Sequence, residues 1–399
     1  MNSTSGKLFK NFTTLFGGLL LVQIINFLFS LVLPKYFSPI QFAQFGIFTS
    51  IVFILIELIN AKLEVAVMLG KDEEEAKHIV IAAITAALLL SVITIFISIP
   101  IIFFYRNIYF LLPIIVLLYG LHQPILVYLN KIENYKIINI FRIIQVLATC
   151  ISTLVLAYLK IENALIIGFF IGLLFATIYS LQFISLKFDL GILKQKIKQF
   201  DQFPKFGTWS SLLNNFSRNS IPLLLAQFFS QQLVGFYSYT TRLLNAPTGM
   251  YTTAISQIYY KMASETEHQY LKKETQKIIL FSFLIGIIPT LIVLFFGKDI
   301  FYLLFSGEWL ASGKIAQYLI LWYFTGIIAV PISFLLDVKN KLKFEFGFNI
   351  VFFLLRMAAI FIGAFYHDFY LSILLFCIVG IIMNIYLLCY INFNLLKNG

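Results

Sequence analysis

Charge is scarce in this sequence: of 399 residues, only 12% are Asp, Glu, Lys or Arg, while 60% are hydrophobic and the mean hydropathy is +0.91. Soluble domains average about half apolar and a quarter charged residues, so this balance excludes a soluble enzyme of two or three domains. Cysteine is almost absent, and Cys150, Cys377 and Cys389 all fall inside apolar runs, which leaves no disulfide framework and no redox motif. Four histidines are too few and too dispersed to form a His, Cys and carboxylate cluster with metal-ligand spacing, so no metal site is expected. No Gly-xxxx-Gly-Lys-Ser/Thr segment exists to cradle a nucleotide, and no cofactor is expected. The first apolar run, 12–33, is too long for a cleaved signal and lacks a small-residue cleavage site.

What is present is a series of apolar runs of roughly 20 residues, the length a helix needs to cross a bilayer. Twelve can be drawn: 12–33, 40–60, 79–104, 108–129, 137–159, 164–186, 206–228, 234–260, 278–297, 315–336, 344–366 and 370–393. Their apolar stretches are continuous, not alternating, which excludes a membrane β-barrel. The fold class is therefore an all-α polytopic membrane protein. Three domain segments follow from the spacing: an N-terminal six-helix lobe over 1–188, a cytoplasmic linker rich in Lys and Gln over 189–205, and a C-terminal six-helix lobe over 206–399.

Basic residues orient these spans. With the N-terminus inside, the inner loops hold 20 Lys and Arg, and the outer loops hold 5 (Lys35, Arg106, Lys160, Lys298, Lys314). That asymmetry is the positive-inside bias, and it places both termini in the cytoplasm. The net charge of +11 then reflects inner loops facing anionic lipid and calls for no nucleic acid. Both halves start inside, so a repeat would be parallel. At an offset of 192 residues, Phe37-Ser38 and Phe45 meet Phe229-Ser230 and Tyr237, while Gln23, Asn26 and Ser30 fall opposite Asn215, Arg218 and Pro222.

The arginines carry the functional reading. Only five exist, and Arg142, Arg218, Arg242 and Arg356 lie within spans, whereas none of the 24 lysines does. A guanidinium stays ionised and presents a planar fork to phosphate or carboxylate oxygens. At bilayer depth it costs ~3 kcal/mol or more unless it meets water or a partner. Arg218 and Arg356 each sit about twelve residues beyond the inner start of their span, ~18 Å in, near the midplane. Ser211, Asn215, Arg218, Asn219 and Pro222 form one polar stripe, and Arg142, Gln145, Thr149 and Ser152 another. Such stripes either line an aqueous cationic cavity or join helices by hydrogen bonds. The segregation of arginine from lysine favours a cavity for an anionic substrate.

Glu57 is the acid deepest in a span, and helical spacing sets Ala61 and Glu64 on a similar face. Intramembrane carboxylates serve as proton or sodium relays, or they form ion pairs with neighbours such as Lys62 or Arg142. Gly168 and Gly172 have the spacing of close helix packing. Prolines 222, 247, 289 and 331 mark bends.

Ordered local motifs then point to a family. Leu33-Pro34-Lys35-Tyr36 precedes Phe45-Gly46; Lys62-Leu63-Glu64-Val65-Ala66-Val67 precedes Glu74-Glu75-Ala76. The second half carries Gly235-Phe236-Tyr237, Arg242-Leu243-Leu244-Asn245-Ala246-Pro247, Phe305-Ser306-Gly307-Glu308-Trp309 and Pro331-Ile332-Ser333. Over nearly its whole length the chain resembles the polysaccharide-transporter, Wzx-type flippase branch of the multidrug/oligosaccharidyl-lipid/polysaccharide (MOP) exporter superfamily. It departs from that pattern at Lys62, where Arg is common, and at Ser306, where Gly is common.

The resemblance implies two pseudo-symmetric six-helix lobes around a central cavity and a non-enzymatic cycle in the bacterial inner membrane. The expected substrate is an undecaprenyl-pyrophosphate-linked oligosaccharide for O-antigen or other surface polysaccharide, with polysaccharide polymerases as candidate partners. The residues expected to hold pyrophosphate or acidic sugar are Arg142, Arg218, Arg242, Arg356, Asn215, Asn219, Gln23 and Asn26. Glu57 and Glu64 are the candidates for coupling to H+ or Na+. Two alternatives compete: a cation-extruding multidrug exporter, which the arginines oppose, and a membrane polymerase or ligase, for which the outer loops offer no acid–base pair.

Overall fold

The computed structural model describes residues 2–104, 107–184, 187–265, 268–305, 307–339 and 341–396. Arg106 and Ser306 lie outside them. The described residues form sixteen α-helices: α1 Asn2–Val32, α2 Pro39–Ile59, α3 Leu63–Ala66, α4 Glu73–Phe104, α5 Leu111–Lys131, α6 Tyr135–Tyr158, α7 Ala164–Leu181 and α8 Leu190–Gln199, followed by α9 Thr208–Asn219, α10 Ile221–Phe228, α11 Gln231–Glu265, α12 His268–Phe305, α13 Leu310–Ser333, α14 Leu335–Val338, α15 Leu342–Phe365 and α16 Phe369–Tyr390. Among the described residues, ten helical segments are long and apolar enough to cross a membrane. The protein is a multi-pass helical membrane protein.

The other two expected spans are helical as well, with features that the apolar count obscures. The span at 206–228 is divided at Ser220 into α9 and α10. Pro222 falls in the first turn of α10, where its missing N–H leaves no intrahelical bond unmade. The span at 234–260 lies inside α11, a continuous helix made polar by Thr240, Thr241, Arg242 and Asn245. Helices also run past the apolar limits read from sequence. α4 begins at Glu73, not 79, because Glu73, Glu74 and Glu75 suit the positive end of the helix dipole.

The chain packs as two compact units, residues 1–29 with 44–223 and residues 30–43 with 224–399. In the first, Phe48, Val52, Ile59, Leu112, Ile115, Val116 and Leu173 form a buried core. Gly168 and Gly172 of α7 bring that helix against Thr153 and Thr149 of α6, with no room for a side chain at either position. The expected close-packing role of these glycines is what the structure has. It also reassigns part of the α6 polar stripe. Thr149 packs on Gly172, and Ser152 donates to the Ala148 and Gly168 carbonyls, so these two residues join helices.

In the second unit Trp309, Tyr239 and Phe42 are fully buried and in mutual contact, with ring centroids 4.7 Å apart for Tyr239–Trp309 and 4.9 Å for Phe42–Tyr239. Three segments distant in sequence meet there. Gly235 lies directly against the Pro39 carbonyl, an approach that any Cβ would block. Of the segments matched by the 192-residue offset, Phe37-Ser38 and Phe229-Ser230 belong to this same unit, whereas Phe45 belongs to the first.

Candidate substrate and coupling site

The first unit contains a compact buried ionic cluster at the end of α2. The helix stops at Ile59, and Ala61 and Lys62 take left-handed backbone angles (φ 50° and 60°). For residues other than glycine that conformation costs roughly 1–2 kcal/mol each. Asn60 anchors the turn: buried to 1% exposure, its Nδ2 donates to the Ala83 and Gly120 carbonyls at 3.0 and 2.8 Å. The turn swings Lys62 back over α2, where its Nζ lies 2.7 Å from Glu57 Oε2 and 3.7 Å from Glu64 Oε1.

This arrangement corrects the helical-face reading of Glu57, Ala61 and Glu64. No helix runs through residue 61, and the two acids meet at one ammonium instead. Of the two ion-pair partners considered, Lys62 is the observed one for both carboxylates. Lys62 itself is a site residue that the sequence reading did not select. An i, i+5 spacing from Glu57 does not pair residues along a helix; the contact forms because α2 ends at Ile59 and the chain turns back.

The side chains of Glu57, Lys62 and Glu64 are 12%, 18% and 9% exposed. Two carboxylates share one ammonium, which leaves one negative charge in excess at a buried place. Glu64 Oε2 is buried with no hydrogen-bond partner among the described residues. Burial pushes the Glu64 carboxyl up from its ordinary value; Lys62 pulls the other way, and the Glu57 charge adds to the rise. An uncompensated buried carboxylate costs several kcal/mol, and taking up a proton relieves it.

α9 is tied to this cluster. Asn215 Nδ2 donates to Glu57 Oε1 at 2.7 Å, and Asn219 Nδ2 donates to the Asn215 carbonyl at 3.0 Å. One expected substrate residue, Asn215, therefore meets an expected coupling residue, and a second, Asn219, is bonded to Asn215. One turn away, Arg218 is exposed in the last turn of α9, with no hydrogen bond or ion pair among the described residues. Arg142 on α6 is half-buried, and its Nη1 is buried without a hydrogen-bond partner among the described residues. Gln23 and Asn26 lie half-buried on α1.

The arginines of the second unit sit differently. Arg242 Nε on α11 donates to Ser30 Oγ at 3.3 Å, beside the Tyr239 hydroxyl, which donates to the Ser30 carbonyl at 3.1 Å. Arg356, midway along α15, is 7% exposed. Its guanidinium stands 3.7 Å from the Phe352 ring centre, 5.0 Å from Phe376 and 5.1 Å from Trp322. Aromatic faces offset part of the cost of burying that charge. The four arginines thus occupy unlike surroundings: one exposed, one half-buried with an open donor, one hydrogen-bonded to serine, one stacked on rings. Among the described residues no group of His, Cys, Asp and Glu could hold a metal ion.

Long apolar helices, a broken polar helix and buried ionic groups describe a polytopic helical membrane fold, and solved structures share it. The chain superposes on the lipid II flippase MurJ in its inward closed conformation with a TM-score of 0.78 at 16% identity, covering 94% of this chain and 87% of that one. An inward-facing MATE-family multidrug resistance transporter of the MOP superfamily gives 0.73 at 14% identity, covering 94% and 96%. A MOP superfamily transporter from Pyrococcus furiosus, described as having a binding pocket of reversed polarity, gives 0.63 at 11% identity, covering 98% and 95%. The fold is that of the MOP transporters. A comparison of sequence with curated proteins finds no match. The profile of the polysaccharide biosynthesis proteins matches residues 32–314, and the chain belongs to that family.

Proposed function

We propose that this protein is a flippase that moves a polyprenyl-pyrophosphate-linked oligosaccharide across the bacterial inner membrane by alternating access, with both termini in the cytoplasm. Family membership and the MOP fold support transport of a polysaccharide precursor. The observation that carries the anionic substrate is Arg142, a permanently charged group inside a membrane helix with a buried N–H donor and no partner among the described residues. Diphosphate oxygens are acceptors of the right charge for that donor and for the exposed Arg218. A cationic drug would be repelled by the same groups, which disfavours the multidrug alternative.

The cycle is driven by a proton held in the Glu57, Lys62 and Glu64 cluster, whose two carboxylates exceed their one ammonium by a single charge. One proton per cluster balances it. Sodium would have to displace the ammonium that already bridges both acids.

The test is reconstitution in vesicles with a fluorescent undecaprenyl-pyrophosphate oligosaccharide and an impermeant quencher. Flipping is expected to respond to a proton gradient, to persist without sodium and to fall at least ten-fold in R142Q and R218Q. Wild-type rates in both variants would remove the arginines from the substrate path. Dependence on sodium alone would remove the proton.

A further inference from the structure

α8 presents two opposed faces. Leu193 and Lys196 are 7% and 5% exposed, and Leu193 packs with Leu63, Ala82, Ala83 and Ala86. Asp189 N, at the start of α8, donates to Thr85 Oγ1, whereas Lys196 Nζ and Gln199 Nε2, near its end, donate to Glu75 Oε1 at 2.9 and 2.8 Å. The helix therefore runs antiparallel along α4 from Thr85 to Glu75, ten residues or ~15 Å. Its other face carries Leu190, Lys194, Ile197 and Lys198 at spacings of four, seven and eight, all exposed, with Phe188 exposed just before them.

The level of each residue along α4 gives this face its meaning. Thr85 belongs to the apolar body of α4, and Glu75 to its acidic first turn. Phe188 and Leu190 stand at the apolar level, while Lys194 and Lys198 stand progressively nearer the charged level. Hydrophobic contact below and ammonium groups above is the order in which acyl chains and headgroups follow one another. Neither Lys194 nor Lys198 has a hydrogen bond or ion pair among the described residues. The nearby acids are largely engaged: Glu73 with Lys77, Glu75 with Lys196, Asp201 with Lys205, Asp189 on the Ile192 amide and Asp72 on the Glu75 amide. Glu74 is the exposed acid left on α4.

We propose that the outer face of α8 is a binding site for the headgroup of an anionic phospholipid, with Lys194 and Lys198 on the phosphate and Phe188 and Leu190 against the acyl chains. It serves to hold α8, and through Glu75 the start of α4, at the membrane surface. Each lysine near such a surface strengthens association about five-fold.

The experiment is electron spin resonance of nitroxide-labelled phosphatidylglycerol or phosphatidylcholine in vesicles holding the full-length protein. Phosphatidylglycerol is expected to show the larger motionally restricted fraction. That excess should shrink several-fold in the K194Q/K198Q variant, persist in K194R/K198R and persist in K272Q/K273Q, which changes another basic stretch. An excess unchanged in K194Q/K198Q overturns the proposal, as does one lost equally in K272Q/K273Q. Displacement by inorganic phosphate at constant ionic strength would assign the face to a free anion and overturn it also.

Discussion

Asn215 donates its side-chain N–H to Glu57 at 2.7 Å across 158 residues of sequence. The acceptor is a carboxylate that already binds the Lys62 ammonium through its other oxygen. Interhelical hydrogen bonds in membrane proteins average about 0.6 kcal/mol and reach ~2 kcal/mol. Asn215→Ala should therefore lower thermal stability in detergent only slightly. Its effect on vesicle flipping should be much larger, because α9 loses its tie to the charged cluster while Arg218 on the same helix is unchanged. Equal, small effects on both readouts would reduce Asn215 to a packing residue.

Lys62 is the shared counter-ion of two acids, so removing it is worse than removing either acid. Lys62→Met leaves Glu57 and Glu64 buried together without a counter-charge, a loss of about 3–5 kcal/mol for a broken buried pair. Adding E64Q to that variant removes one of the stranded charges and should restore a good part of the stability. Thermal unfolding of the single and double variants measures the coupling directly. Simple additivity would mean the two residues do not interact energetically.

Burial raises the Glu64 carboxyl above its ordinary value, so the folded protein binds a proton there more readily than the unfolded chain. Between the ordinary value of 4.5 and the raised one, the native state holds the extra proton. The sign follows from proton linkage: the contribution to stability falls as pH rises through that window and is restored as pH is lowered through it. Glu64→Gln should flatten this part of the stability-against-pH curve, holding its level where wild type falls as pH rises. Melting temperatures across a pH series in detergent would show it. A curve identical to wild type would mean that Glu64 does not titrate there.

Much of the fold is legible in sequence because lipid imposes a simple rule. An uninterrupted apolar run must satisfy its backbone internally, and it does so as a helix. The packing of α7 on α6 was equally plain, since Gly168 and Gly172 recur at one-turn spacing and both prove too close to α6 for a side chain. The ionic cluster was only half legible. Glu57 and Glu64 stand out as acids in an apolar setting, but their common partner depends on a left-handed turn at Ala61-Lys62 that no glycine announces. The α6 stripe misleads for a related reason. A threonine facing water and a threonine facing a glycine on the next helix have the same letter and the same period. Arg356 shows the same limit: Trp322 and Phe376, two of the rings around it, come from other helices, α13 and α16.

The α6–α7 contact offers a further test. Gly172→Leu places four carbons where the Gln145 carbonyl and Thr149 already stand. Overpacking of this kind costs about 1–3 kcal/mol or more. The companion change Thr149→Ala opens only part of that space, because backbone atoms of α6 also lie within reach. The double variant should therefore remain less stable than wild type. Full recovery of the melting temperature would show that the side chain alone sets the spacing.

Arg356 separates charge from shape. Its guanidinium faces Phe352 at 3.7 Å, and Trp322 and Phe376 lie near 5 Å on other helices. A planar cation can lie flat against several rings, whereas an ammonium is a strongly hydrated point charge on a flexible stem. If charge alone mattered at this position, Arg356→Lys would keep both stability and flipping. The stacked geometry instead predicts that R356K loses about 1–2 kcal/mol, the value of desolvated cation–π contacts. Trp322 reports the change locally: its fluorescence should shift in R356K, while Trp309, buried elsewhere in the second unit, should not respond. Unaltered Trp322 emission in a folded R356K protein would show that the guanidinium does not hold that ring.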